Sequence, residues 1–410
     1  MWQDGATASR FVALPQQSRI ITQIERRKDG SINRSTVSWP ENAVLARTVR
    51  WEGKKLETQV LHFDGEAWAG YTYRWNEAGS DAELVPPGGG EMEITAGHRH
   101  TLHSRADCLR CHTNWAGFAL GFQPQQLTRI AGQPAAQAAL ELGLATEDFF
   151  GVSPARLAAR DDASASAEDR ARAWLHANCA HCHRRNGGGS VPLQVNIELP
   201  LEQTALVDAV PQRGTLGIPA EVARLIAPGQ PQHSVLLPRL ARFGPGHMPI
   251  IGAQLPDPEA FTTLWNWIAS LPSSSSPPSP ISELPSPTSV PDALRLLHSI
   301  YSGAADQTAL QPELTRLARS SNTDIASLFE PFLPESERQP RLGPNPDSAA
   351  ILTLQGDPAK GAALLAPDGY LASCRACHFI EGTGRDFGPD LAKVGARLTR
   401  AQLLESLLEP

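Results

Sequence analysis

All six cysteines of this 410-residue chain fall in three C-x-x-C-H units: Cys108-Leu-Arg-Cys111-His112, Cys179-Ala-His-Cys182-His183 and Cys374-Arg-Ala-Cys377-His378. Such a unit constrains the backbone strongly. Two intervening residues let both sulfurs and the following imidazole gather on one side of a single turn of chain. Thiols spaced this way add across the two vinyl groups of a porphyrin. The histidine then lies under the ring as the proximal iron ligand, which makes the unit the attachment signature of c-type haem. The spacing predicts three covalently attached haem c groups. Cys108, Cys111, Cys179, Cys182, Cys374 and Cys377 are the expected thioether sulfurs, and His112, His183 and His378 the expected iron ligands.

Other uses of paired cysteines fit worse. A structural zinc site places its two pairs roughly 15–20 residues apart, whereas the first cysteines here are separated by 71 and 195 residues. Zinc also requires no His directly after every pair. A disulfide framework belongs to shorter secreted domains, and a thioredoxin-like dithiol needs a βαβ setting that the sequence does not offer. The net charge of −7, with no long basic run, argues against a nucleic-acid partner. No apolar run reaches the roughly 18 residues of a transmembrane span.

With only 19% charged residues, 33 Gly and 35 Pro, the chain is rich in loops and unlike a helical bundle. Residues 1–100 read as a β-rich domain. Val44 to Trp51 alternates, and Tyr71, Tyr73 and Trp75 share a face that reads as core rather than as a sugar platform. Residues 101–161 hold the first haem segment, in which the small, apolar run from Trp115 to Phe122 suits the covering of a flat porphyrin, and a helix is expected over 135–144. Residues 162–272 have the parts of a class I cytochrome c domain. These are a helical stripe from Ala167 into Cys179, a Met248-Pro249 loop, and a closing helix capped by Asp257 with Phe261, Leu264, Trp265 and Ile268 on one side. A Pro/Ser linker spans 273–291, a helical segment 292–347, and a third cytochrome c-like domain 348–410, with a Thr399–Gln402 capping box. The expected fold class is multidomain: a β-rich N-terminal domain followed by mainly α class I cytochrome c-like domains.

An electron-carrying haem needs a second axial ligand, normally Met or His. Met248 is the expected ligand of the second iron, with adjacent His247 as runner-up. For the first iron, Met92, His98, His100 and His103 are all candidates, and an open sixth site would suit small-molecule chemistry. No Met or His occurs among the 32 residues after His378, so the third iron draws on a distant residue such as His298 or on chain beyond Pro410. The abrupt end after a capped helix favours the second. Pro389, 11 residues after His378, is placed to orient that ring through its carbonyl, with Pro192 as the counterpart for His183.

The stretch from Arg10-Phe-Val-Ala-Leu-Pro15 through Gly70-Tyr-Thr-Tyr-Arg-Trp-Asn76 and the first two motifs to Leu271 resembles a family of bacterial diheme c-type cytochromes. The matching pieces include Ser104 to His112, Leu175 to His183, Ala227-Pro-Gly229 and Gly246-His-Met-Pro249. Leu328 to Pro334, Gly356-Asp357 and the run from Cys374 to Pro410 resemble the C-terminal haem-binding domain of large bacterial dehydrogenase-like proteins. Such modules accompany quinoprotein-type dehydrogenases. The resemblance therefore implies electron transfer in the periplasm, from a partner dehydrogenase to a downstream carrier, without bond chemistry of the chain's own. The alternatives are a peroxidase-like diheme enzyme with an open first haem, and a β-domain binding module that carries haem domains. Haem c is attached outside the bacterial cytoplasm. With no export signal at Met1-Trp-Gln-Asp-Gly-Ala, the chain is expected to be an internal portion of a longer exported protein.

Overall fold

In the computed structural model, the alternating segments of the first hundred residues become nine strands. These are β1 (Thr7–Ala13), β2 (Ile21–Arg26), β3 (Ile32–Ser38), β4 (Val44–Trp51), β5 (Lys54–Phe63), β6 (Trp68–Trp75), β7 (Ala82–Leu84), β8 (Gly90–Thr95) and β9 (His98–Leu102). The structure describes the chain apart from residues 1–2, 30–31, 96–97, 128, 131–132, 151–156, 190, 274–285, 340–345, 367–373, 376–377, 385–387 and 409–410. Most of the expected Pro/Ser linker, and Cys377, therefore lie outside the described residues.

Five strands form one antiparallel sheet in the order β1-β4-β5-β6-β7, and β2-β3 and β8-β9 form separate hairpins. The β4–β5 hairpin closes on Glu52-Gly53, both at positive φ. A two-residue turn of this hand matches the twist of the strands it joins. Along β6 the buried positions are Trp68, Gly70 and Thr72, and Tyr71, Tyr73 and Trp75 look the other way, half-buried. The aromatic row shares a face, as its spacing predicts, but the sheet packs its core through the opposite face. Trp68 there joins Ala43, Leu45, Leu61 and Ala119.

The remainder carries α1 (Arg105–Cys111), α2 (Ala135–Glu141), α3 (Ala167–Cys179), α4 (Leu236–Ala241), α5 (Pro258–Ser270) and α6 (Val290–Tyr301). They are followed by α7 (Gln307–Ala318), α8 (Thr323–Phe329), α9 (Ser348–Thr353), α10 (Pro358–Leu365), α11 (Val394–Arg397) and α12 (Arg400–Leu408). The expected series of mainly α class I cytochrome c-like domains is overturned. Only 36% of residues are helical, set against a large five-stranded sheet. The longest helices have 13 residues. Frequent Gly and Pro end them early. The first motif does not belong to a helical domain at all: α1 has no buried residue of its own and leans on β6.

Caps stop and start the helices where the sequence signals them. Ser166 accepts from Asp169 N–H at the start of α3, and Asp257 accepts from Ala260 N–H at the start of α5, with Pro258 as first helical residue. One apolar core joins α3, α4 and α5 to α6, α7 and α8, with Leu175, Leu237, Phe261, Leu264, Leu297 and Phe329 all buried in it. The residues on either side of the Pro/Ser stretch thus share a single core.

Candidate functional site

The three C-x-x-C-H units sit in different surroundings yet close the same way. The His112 N–H donates to the Cys108 carbonyl at 3.0 Å, the His183 N–H to the Cys179 carbonyl at 2.8 Å, and the His378 N–H to the Cys374 carbonyl at 2.9 Å. In the first two motifs this is one turn of helix, which brings the two cysteines and the histidine to one side.

The imidazoles are then oriented through Nδ1. His378 donates from Nδ1 to the Pro389 carbonyl at 2.8 Å, the partner its sequence position suggests. His112 donates from Nδ1 to the Phe118 carbonyl. His183 departs from the expectation: its Nδ1 is buried without a hydrogen-bond partner, and Pro192 is exposed. The chain at 192–195 is held instead by the Val195 N–H, which donates to the His183 backbone carbonyl at 2.9 Å. Glycines face two of the rings. A Cβ at position 189 would lie 2.9 Å from His183 Nδ1, and one at position 388 would lie 2.6 Å from His378 Cε1. Burial lowers the pKa of His112 and of His183, favouring the neutral ring that has a lone pair to give.

The first motif is placed by the sheet. Ser104 caps α1 in a reciprocal box with Asp107, and the Thr72 hydroxyl donates to the His103 carbonyl at 3.1 Å. Gly70 lets β6 approach so closely that a Cβ there would meet Cys108 Cβ at 2.6 Å and Sγ at 2.9 Å. Gly70→Ala is therefore expected to push α1 off the strand, costing about 1–3 kcal/mol and lowering any covalent modification at Cys108. Thermal melting and peptide mass mapping read the two effects. The aromatic row beside it is occupied by the chain's own cations. The Arg105 guanidinium lies 4.8 Å from the Tyr71 ring centre and the Lys55 ammonium 3.7 Å from that of Trp75, whose Nε1 also donates to Thr58 at 2.9 Å. The run from Trp115 to Phe122, expected as a porphyrin cover, folds back onto the sheet. There Ala119 is buried and Phe118 stacks on Trp68 at 6.1 Å.

The first two motifs meet. Cys111 Sγ, Cys182 Sγ and a ring nitrogen of buried His181 all lie within 4.8 Å of one another. The Cys111 thiol donates to Cys182 and, with His181 and His183 nearby, lowers the Cys182 thiol to about 4, while Cys111 is raised. Burial pushes Cys108 up to about 11 and Cys179 up to about 12. Cys182 Sγ also lies 3.9 Å from the Arg110 carbonyl, and the Arg184 guanidinium donates to the Trp115 carbonyl at 2.8 Å. Further bonds hold the two regions in place. Gln125 donates to Glu198 at 2.6 Å, and the Asp4 carboxylate accepts from the N–H groups of Gln254 and Leu255 at 2.8 and 2.7 Å.

The candidate second ligands are distributed unevenly. Met248 is half-buried, its N–H bound to the Arg239 carbonyl at 2.9 Å, and the Arg239 charge acts on His183. His247 donates from Nδ1 to the Arg242 carbonyl at 2.9 Å. Met92 lies on β8 opposite His100 of β9, and the His98 side chain is outside the described residues. His103 is lowered by burial. His100 is committed elsewhere. It is buried and donates from Nε2 to Glu57 Oε1 at 3.1 Å.

Glu57 is the centre of a polar network that pattern reading misses. It is 0% exposed and accepts at Oε1 from Gln3 (3.0 Å) and Gln59 (2.8 Å) as well. The same two amides accept through their oxygens from Arg47 Nη1, at 2.7 and 3.2 Å. Each glutamine thus relays between a buried cation and a buried anion. In sequence, Glu57 looks like any outward-facing strand residue. Two of its three direct partners, Gln3 and His100, lie 54 and 43 positions away, and no local signal marks it.

His298, considered for the third iron, is spent in the core. Its ring stacks on Trp265 at 4.5 Å and 9°. Burial lowers its pKa to about 4. The folded protein accepts this proton only at lower pH than the unfolded chain does. The stabilising contribution is thus complete above about pH 6.5 and declines as pH falls towards about 4. His298→Phe keeps the stack and removes the titration. Its urea midpoint is expected to fall less than that of the parent between pH 7 and pH 4.5.

No helix among the described residues is long and apolar enough to cross a membrane. No family model, curated protein or solved structure matches the chain.

Proposed function

We propose that this chain is a multihaem c-type cytochrome that transfers electrons in the bacterial periplasm, from a partner dehydrogenase of the quinoprotein type to a downstream carrier. One observation carries the reading. Three C-x-x-C-H units in unrelated surroundings, against a sheet, at the end of a long helix and in the C-terminal region, share one backbone closure from histidine N–H to first-cysteine carbonyl. Nothing in their separate environments requires that repeat, whereas attachment of the same group to each does.

The residues fit haem c. In each motif the two thiols would add across the vinyl groups: a carbon–sulfur bond forms, the thiol proton goes to the neighbouring carbon, and nothing leaves. His112 and His378 use Nδ1–H on a carbonyl, which fixes the ring and turns the Nε2 lone pair outward for iron. Gly189 and Gly388 place no Cβ where one would crowd the His183 and His378 rings. When bound, the group would supply a one-electron centre, and Met248 would be the residue to hold the second iron and raise its potential.

A second reading has its own observation. Two thiols and an imidazole within 4.8 Å are the donor set of a soft divalent cation such as zinc, at Cys111, His181 and Cys182. Expression with an export signal in a host competent for cytochrome c maturation separates the two. The first reading expects a pyridine haemochrome absorbance of three haems per chain. Absence of covalent haem, with stoichiometric zinc retained through dialysis, would replace it with the second.

A further inference from the structure

The contact between the first two motifs extends this reading and rests on it. We infer that Cys111 and Cys182 attach two haems as one adjoining pair, so that the first and second centres act as a coupled unit rather than as separate carriers. Each of these sulfurs would be bonded to the former vinyl carbon on the rim of its own porphyrin. The two sulfurs lie within 4.8 Å of one another. The path between the rings would therefore be one sulfur contact, two carbon–sulfur bonds and the two carbon–carbon bonds that join them to the rings.

The juxtaposition does not depend on the thiol contact alone. The second cysteine of one motif touches the backbone of the other at the Arg110 carbonyl, and Arg184, just past the second motif, binds the Trp115 carbonyl just past the first. On either side, Gln125–Glu198 and the Asp4 carboxylate under the Gln254 and Leu255 N–H groups tie the two regions together. Arg110 also lines a cleft of about 260 Å³ between α1 and the chain at 250–254, which shows these two walls facing one another.

The test uses the full chain carrying Cys374→Ser and Cys377→Ser, matured in the periplasm, beside two variants that also lose Cys108 and Cys111 or Cys179 and Cys182. The pair predicts that the electron paramagnetic resonance spectrum of the oxidised two-haem protein is broadened and loses intensity relative to the sum of the single-haem spectra. Two attached haems with a simply additive spectrum would overturn the pair and leave the haem reading standing. No covalent haem in any variant would overturn both.

Since a single-haem variant can fail to fold, proximity is also measured without haem. A full chain whose only cysteines are Cys111 and Cys182 is treated with diamide, which takes up the two protons and two electrons released by the thiols. An internal disulfide, seen as faster migration without reductant and abolished by Cys182→Ser, is expected. A chain that stays fully reduced or cross-links only between molecules overturns the juxtaposition.

Discussion

On the multihaem reading proposed above, one methyl group at position 388 is expected to detach the third centre from His378 while leaving the haem covalently in place. In Gly388→Ala the new Cβ would lie 2.6 Å from His378 Cε1 and 2.7 Å from Nδ1. No pair of atoms tolerates that approach, so the ring must turn. Turning it breaks the Nδ1–H bond to the Pro389 carbonyl and moves Nε2 off the position it holds for iron. Cys374 is untouched by the change, and attachment chemistry depends on the sulfurs rather than on the ring. Haem staining should therefore remain at the parental level. The low-spin absorption of one centre in three is expected to give way to a high-spin or weakly ligated form. Unchanged spectra would show that His378 is not the ligand, and loss of stain would show that the glycine serves folding instead.

The second large effect concerns stability. Glu57→Leu is expected to cost about 3–5 kcal/mol, since three donors, at about 1–3 kcal/mol for each left unsatisfied, lose their shared acceptor. The loss leaves Gln3, Gln59 and His100 without their shared acceptor, and loosens the two glutamine oxygens to which Arg47 donates. Glu57→Gln keeps an acceptor oxygen and is expected to cost only about 1–2 kcal/mol. Amide hydrogen exchange along β5 reads the local change directly, with urea unfolding of the full chain beside it. Equal protection in the leucine variant and the parent would mean that the network contributes no net stability. Because β5 pairs with β6, on which α1 leans, any attachment at the first motif is expected to fall together with β5 protection.

What the sequence made legible was local chemistry. The cap at Asp257, the helix running into Cys179 and the Pro389 carbonyl behind His378 were all readable, because each depends on residues within about a dozen positions. Pro192 was misread because a matching spacing does not ensure a matching path. The chain there is drawn to the His183 backbone, not to its ring. The fold class was misread for a related reason. Helical stripes near the motifs suggested helical domains, but α1 is too short to bury anything and takes its support from β6, 38 residues upstream at Gly70. Strand pairing and the Glu57 network are assembled from residues far apart in sequence, and periodicity carries no information about such pairings. The meeting of Cys111 with Cys182, 71 residues apart, belongs to the same class.

The unequal support beneath the motifs has a consequence for the timing of maturation. On the haem reading, the second motif follows a 13-residue capped helix, whose extra turns bias its own turn towards the native form more than a 7-residue helix can. The first motif has a 7-residue helix without buried residues and presents its thiols only after β6 has been built beneath it. Partly loaded molecules, caught when haem is scarce, are therefore expected to carry haem at Cys179 and Cys182 before Cys108 and Cys111. The order would be visible in the masses of the corresponding peptides.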